Sequence, residues 1–504
     1  MTGQMRVLLL RPHPGNDRFG LGPFFRVEPL GLEYVAAALE QAGHRAWIAD
    51  LRFGASLATW MRRARPRMVG ISVMHALEYD AAISLARAVR RFSPGSFIVA
   101  GGHAAAAHPD PLQTDPFDAI AVDDGEEIAP ALATALESGS PIEEVPALRL
   151  RAEGDWLATP PLDSRPELDH VPLPARHRID DRRRHYHCLL FRPVWAVETA
   201  RGCPFRCSFC SVWQLYGRSV RERSIGAVVS DMEATGPHVF IVDDLFWNHP
   251  ERSLELAAAL RARGVRKRWI LVQSRCDLVA RHPELLEAWR PVSEEIDIFF
   301  GLEAASDAGL SALVKDAVTT DTVQAARLAR SLGYQVTGNF VVDPAWTEAE
   351  FRELWSFVDR HGFHRAGYTL LTPLPGTQLW EESRSALRDR PWSHYDMHHA
   401  LSEPRLGERR FFALYAETWR RSILNLAGRK RWIDWARQVG PRQIPSLTRA
   451  LWHTQRMMRP EAYLIESESS PGEGPTPAAG RLLAQARRSG GNAARSGGIG
   501  GAPR

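Results

Sequence analysis

Three cysteines within eight positions, Cys203, Cys207 and Cys210, are the residues of this 504-residue chain best suited to chemistry. They lie in Glu198-Thr-Ala-Arg-Gly-Cys203-Pro-Phe-Arg-Cys207-Ser-Phe-Cys210, a C-x3-C-x2-C spacing that follows an apolar strand pattern at residues 194–199. Iron–sulfur clusters normally take four thiolates. Three thiolates hold three irons of a [4Fe–4S] cluster and leave the fourth open to a substrate or cofactor. A zinc site would want a fourth Cys or His in C-x2-C style. A tight loop flanked by Gly202 and Pro204 is also a poor place for packed core thiols. Cys188 and Cys276 read as ordinary semi-buried thiols. Five cysteines, three of them clustered, make a poor disulfide framework and point to a metal site in a reducing compartment.

The elements around this loop set its context. Apolar runs at residues 7–10, 46–49, 68–73, 97–100 and 119–122 alternate with helical patterns such as 31–42 and 79–92. That alternation predicts an α/β fold, a doubly wound parallel sheet over residues 1–140, with ligands beyond the carboxyl ends of the strands. The loops there carry Arg11, His13, Ser72, Gly101, Gly102, Gly125 and Glu126. Residues 141–192 hold several prolines and the basic run Arg182-Arg-Arg-His-Tyr-His187, read as a solvated linker. Strand patterns return at 194–199, 239–242, 269–272, 296–300, 335–342 and 367–371, so residues 193–385 predict a partial (β/α)6 barrel, short of the eight units of a full one. Residues 386–465 read as a helical region rich in Arg, Trp, Phe and Leu. Residues 466–504, dominated by Gly, Ser, Pro and Ala, read as a disordered tail.

The formal net charge is +4, too small to argue for a nucleic-acid partner. No signal-peptide pattern precedes the first strand, and no apolar run approaches the roughly 18 residues of a membrane span. The expected location is the cytoplasm.

The cysteine loop, with an aromatic before its last Cys and Glu-Thr-x-Arg-Gly before its first, resembles the radical S-adenosylmethionine (SAM) superfamily. In that family SAM chelates the open iron, and one electron cleaves it to methionine and a 5′-deoxyadenosyl radical. The resemblance implies SAM-binding roles for five residues. Phe209 approaches the adenine through its backbone. Asp243, in Asp243-Asp-Leu-Phe246, lies near the amino group, although the family's usual Gly-Gly-Glu is absent. Glu303 and Ser306, in Gly301-Leu-Glu303-Ala-Ala-Ser306, lie near the ribose and carboxylate, and Asn339 comes late in the fifth strand. Thr372-Pro-Leu-Pro-Gly-Thr377 is similar to the family's closing loop.

The first domain resembles the cobalamin-binding domain that precedes many radical SAM domains. The likeness lies in Pro29-Leu-Gly-Leu-Glu-Tyr34, Gly101-Gly102 and Gly125-Glu126. It implies cobalamin contacts from Arg11, His13, Ser72, Gly101, Gly102, Gly125 and Glu126. Domains that supply a lower histidine ligand use Asp-x-His-x-x-Gly. Arg11-Pro-His13-Pro-Gly-Asn16 lacks both the Asp and the final Gly, so no histidine to the cobalt is expected.

Together the two domains resemble the cobalamin-dependent radical SAM methylases. There one SAM methylates the cobalt, a second generates the radical, and an unactivated carbon receives the methyl. Residues 10–34 and Gly338-Asn-Phe-Val-Val-Asp-Pro-Ala-Trp-Thr347 resemble the hopanoid C-3 methylases. That implies a polycyclic lipid substrate, a one-electron donor such as flavodoxin or ferredoxin, and peripheral contact with the inner membrane surface. The C-terminal helices, with Arg on one face and Trp, Phe and Leu on the other, suit a membrane interface or a cap on the barrel mouth. A tetrapyrrole-modifying or ring-forming enzyme of the same cofactors and a non-catalytic cobalamin sensor are the alternatives.

Overall fold

In the computed structural model, which describes residues 4–14, 24–189, 191–363, 365–424 and 444–464, the strand–helix alternation forms two mainly parallel sheets. The first contains β1 (Arg6–Arg11), β2 (Arg45–Asp50), β3 (Met68–Ser72), β4 (Phe97–Gly101) and β5 (Ala119–Ala121) in the order β2-β1-β3-β4-β5. Side chains alternate across β1. Leu8 and Leu10 enter one core with Val69, Ile71 and Ile98, while Val7 and Leu9 enter the opposite one with Leu39, Ile48 and Leu132. Both faces are covered, which is why the strands read as unbroken apolar runs. Each fully buried aliphatic side chain contributes roughly 1.5–3 kcal/mol. The chain moves outward from β1 to β2, then back past β1 to β3. This reversal is a topological switch point, with a crevice at the carboxyl ends of β1 and β3.

The expected break at residue 140 falls short of the end of this sheet. Antiparallel strands β6 (Leu148–Ala152) and β7 (Asp155–Ala158) extend it. Glu153 and Gly154, both with positive φ, make the two-residue hairpin turn between them.

The second sheet runs in sequential order through β8 (Trp195–Val197), β9 (His238–Ile241), β10 (Lys267–Ser274), β11 (Ser293–Glu303), β12 (Gln335–Val342) and β13 (Ala366–Leu370). All neighbours are parallel, and the two outer strands do not pair, so the barrel is partial, as expected. Its outer face shares one core with the helix Glu408–Leu424, through Phe411, Phe412 and Tyr415. On the inner face Gly301, Asn339 and Gly367 lie side by side in register and half-buried.

The segment between the sheets is not a solvated linker throughout. The Glu28 carboxylate is fully buried, accepting from Arg176 at 2.5 Å, from Arg183 and from the Ala196 backbone N–H at 2.6 Å. Arg176 also reaches Asp231 at 2.9 Å, and Arg183 stacks over Trp195. A buried carboxylate needs such partners, and they come from the stretch whose composition suggested free solvent. The tail expected at 466–504, the Gly15-Asn16 end of the first loop motif and the Arg- and Trp-rich stretch at 425–443 lie outside the described residues. Among the described residues no helix is long and apolar enough to cross a membrane.

Candidate active site

The cysteine loop starts at the carboxyl end of β8 and is tied down by elements distant in sequence. Asp243, just beyond β9, accepts the Thr199 backbone N–H at 2.6 Å and the Thr199 hydroxyl at 2.5 Å. Both its oxygens are therefore engaged. Burial pushes its carboxyl up to about 7. Asp244 accepts the Gly202 N–H at 2.8 Å. Gly202 has φ +104°, and a Cβ there would lie 2.2 Å from the Ser219 carbonyl oxygen, so this turn admits glycine alone. Within the loop Cys210 N–H donates to the Cys207 carbonyl at 3.1 Å, and the Trp213 indole donates to the same oxygen at 2.9 Å. The Leu379 N–H, beyond the sixth barrel strand, donates to the Ser208 carbonyl at 2.9 Å.

The three thiols suit a metal cluster. Cys207 is buried, and Cys203 and Cys210 are half-buried. Burial raises all three pKa values, that of Cys210 to about 12, while Lys315 and Arg275 pull Cys207 the other way. Thiolates so placed need a metal's positive charge to persist. Among the described residues no three Cys, His, Asp or Glu side chains converge as a single ion would require. A cluster, whose irons are separate ligation points, needs no such convergence.

Glu303 stands at the β11 bulge, where the register to β12 shifts, with φ +52°. One carboxylate oxygen is 2.9 Å from Lys315 Nζ, and the other is buried without a hydrogen-bond partner. A strained backbone and an unsatisfied buried oxygen are features of ligand sites, and this oxygen fits the cationic or hydroxyl groups of SAM. Asn339 donates to the Thr369 hydroxyl at 2.6 Å on the barrel's inner face. Ser306 caps the helix Asp307–Ala312 by accepting the Gly309 N–H at 3.4 Å. Phe209 is half-buried within the cysteine loop. Glu303 thus keeps one carboxylate oxygen unpartnered, whereas Asp243 spends both oxygens on the Thr199 N–H and hydroxyl and Ser306 its hydroxyl on the Gly309 N–H.

A cavity of about 460 Å³ separates the strand ends of the first sheet from the barrel. That is within the usual range of cofactor sites. Arg11, Ser72, Gly101, Gly102, Gly125 and Glu126 line it, and His13 does not. Glu198, Arg201 and Asp244 contribute from the barrel side. Gly102 has φ +110°, and a Cβ there would sit 2.8 Å from the Val73 carbonyl oxygen. The Tyr34 hydroxyl is buried in the wall without a partner, a feature that suits a ligand bearing amides, such as cobalamin.

Several residues that matter here are given no role by the sequence patterns. Arg201 binds Glu126 at 2.6 Å, Glu198 at 2.9 Å and Asp124 at 3.1 Å, and Arg221 binds Asp124 at 2.6 Å. These pairs bolt the first domain to the barrel, so Glu126 is a clamp as well as a wall residue. Arg275 lies over the Phe205 ring at 3.6 Å and, with Lys315, backs the cysteine loop. His103, in the cavity wall, meets Ser211, the residue after Cys210, at 2.6 Å. Asp244 both lines the cavity and holds Gly202, so the cavity and the cysteine loop share a wall.

Comparison with known proteins agrees with this geometry. Residues 23–133 match the B12 binding domain family and residues 197–358 match the Radical SAM superfamily. The chain is 31% identical to the hopanoid C-3 methylase of Methylococcus capsulatus over 92% of this chain and 89% of that one. It is 26% identical to the anaerobic magnesium-protoporphyrin IX monomethyl ester cyclase of Cereibacter sphaeroides, over 80% of this chain and 67% of that one. Among solved structures, the cobalamin-dependent SAM radical enzyme OxsB, with aqua-cobalamin and SAM bound, superposes with a TM-score of 0.68. The match covers 97% of this chain and 76% of that one at 15% identity, a likeness of fold.

Proposed function

The chain belongs to the cobalamin-dependent radical SAM methylases, and on that premise we propose that it methylates a hopanoid lipid at C-3. The family's cofactors, a [4Fe–4S] cluster, SAM and cobalamin, are those of this chain. When bound, they supply the electron that opens SAM, the radical that takes a hydrogen atom, and the methyl carrier. The protein's own residues do the rest. Cys203, Cys207 and Cys210 hold the cluster, Asp243 and Asp244 fix the loop that carries them, and Glu303 presents a carboxylate oxygen to SAM. Arg201 with Glu126 keeps the two domains facing each other across the cavity.

The observation that carries the reading is the shared wall. Asp244 and the His103–Ser211 contact put the cavity of the first domain against the cluster loop. A radical centre and a methyl carrier must both reach one substrate carbon, and this arrangement allows it. The hopanoid assignment rests on the 31% identity over nearly the whole chain. An apolar surface also supports it. Among the described residues, four of the ten exposed large apolar side chains, Leu424, Ile444, Leu451 and Trp452, fall on the C-terminal helices. Exposed apolar side chains of this kind suit contact with a membrane surface from which a lipid could enter.

The test is anaerobic reconstitution with iron, sulfide and cobalamin, followed by SAM, a reductant and a bacteriohopane-type lipid. The expected product gains the mass of one methylene, with 5′-deoxyadenosine and S-adenosylhomocysteine both formed. SAM cleavage with an unchanged lipid would remove the hopanoid assignment. A modified tetrapyrrole under the same conditions would favour the cyclase-like alternative.

A further inference from the structure

One side chain in the interdomain cavity is equipped for a ligand and has no role in holding the fold. His75 lies in the loop that leaves β3, on the first domain's wall of the cavity. The residue is exposed, yet desolvation lowers its imidazole pKa below the ordinary value. The two agree because the space it faces is the cavity itself. Met74, beside it, is 38% exposed into the same space. Among the described residues, no hydrogen bond or ion pair engages the His75 ring nitrogens. His103, by contrast, is engaged with Ser211 at 2.6 Å.

The backbone that carries His75 is fixed. The Glu78 carboxylate accepts the Met74 N–H at 2.7 Å and Arg11 at 2.5 Å. Arg11 reaches Ser72 Oγ at 3.3 Å, and the Glu78 N–H closes the turn on the His75 carbonyl at 2.9 Å. Arg11 and Ser72 therefore set the loop rather than spend their polar groups on a ligand alone. A preorganised loop presenting an unpartnered imidazole to a cavity is the arrangement of a metal ligand.

We propose that His75 coordinates the cobalt of bound cobalamin from the face turned toward the first sheet, opposite the cluster loop. This rests on the cobalamin reading of the cavity. It also revises the expectation of no histidine ligand. His13, on the loop after β1, stands outside the cavity, whereas His75 lies on the loop after β3, inside it.

The experiment uses the full chain loaded with cob(II)alamin under anaerobic conditions and read by electron paramagnetic resonance. An axial nitrogen splits each cobalt line into a triplet. The triplet is expected in the native protein and becomes a doublet when its histidines carry nitrogen-15. It is lost in His75→Ala and kept in His103→Ala, with cobalamin still bound in both. Unsplit lines in the native protein would overturn the proposal. So would a triplet indifferent to the histidine label, which would belong to the cofactor's own base, or a splitting that survives His75→Ala. A native protein that retains no cobalamin would overturn the cofactor reading and this inference with it.

Discussion

The cysteine loop and the cavity above the first sheet are built in opposite ways. The loop's cysteines lie within eight positions of the sequence, and distant backbone and carboxylate groups hold the loop: Asp243 on Thr199, Asp244 on Gly202, Leu379 on Ser208. The cavity's residues are spread from Arg11 to Asp244, each ordinary by itself, and the topological switch point gathers them. The first site is coded by a motif and the second by topology. Substitutions should therefore act on the loop through its chemistry and on the cavity through its frame.

The largest effect is expected from Cys207→Ser. With a thiolate ligand gone, the cluster should not persist, and 5′-deoxyadenosine formation should fall to background while cobalamin still binds. Iron content and SAM cleavage check it. Loss of cobalamin in the same variant would break the separation between the two regions. Arg201→Ala comes next, since it takes from Glu126 and Asp124 a partner across the domain boundary and from Glu198 its neighbour on the barrel side. Removing one side of a buried pair costs about 3–5 kcal/mol, so chemical denaturation should show a marked loss, with reduced cobalamin retention.

The frame of the cavity is also expected to titrate. Glu33, on the helix Leu30–Gln41, has both carboxylate oxygens buried without a partner, and burial pushes its carboxyl up to about 8. The folded protein keeps a proton that the unfolded chain releases at about pH 4. Stability should therefore fall as pH rises from about 4 to about 8. Glu33→Gln should flatten that slope and be more stable than the native chain at pH 8, by on the order of 1–3 kcal/mol. Denaturation curves at several pH values decide it. An unchanged slope would mean that Glu33 does not carry the dependence. The smallest effect is expected from Tyr34→Phe, which removes one unpartnered hydroxyl from the cavity wall. One hydrogen bond is worth roughly 0.5–1.5 kcal/mol, so cobalamin affinity should fall by about twofold to about thirteenfold, measured by titration.

This contrast also sets what could be read from the amino acids alone. The strands of both sheets were legible because parallel strands covered by helices are continuous apolar runs. The patterns at 239–242 and 335–342 lie on β9 and β12. The cysteine spacing was legible because the three thiols stand in one loop. The hairpin of β6 and β7 leaves no such signal, since an edge strand such as β7 is mostly exposed and carries no apolar run. The pairing of Glu28 with Arg176 and Arg183 was hidden by a separation of about 150 residues. The role of Asp243 was ambiguous for a different reason. An acid at a strand end looks the same whether it waits for a ligand or ties a loop, and only its bonds to Thr199 tell the two apart.

In the proposed reaction the radical formed at the cysteine loop acts on the lipid carbon that then receives the methyl. A hopanoid carrying deuterium at C-3, turned over by the reconstituted enzyme, tests it most directly. The account predicts 5′-deoxyadenosine bearing one deuterium, in step with methylated lipid. Methylated lipid accompanied only by unlabelled 5′-deoxyadenosine would contradict it.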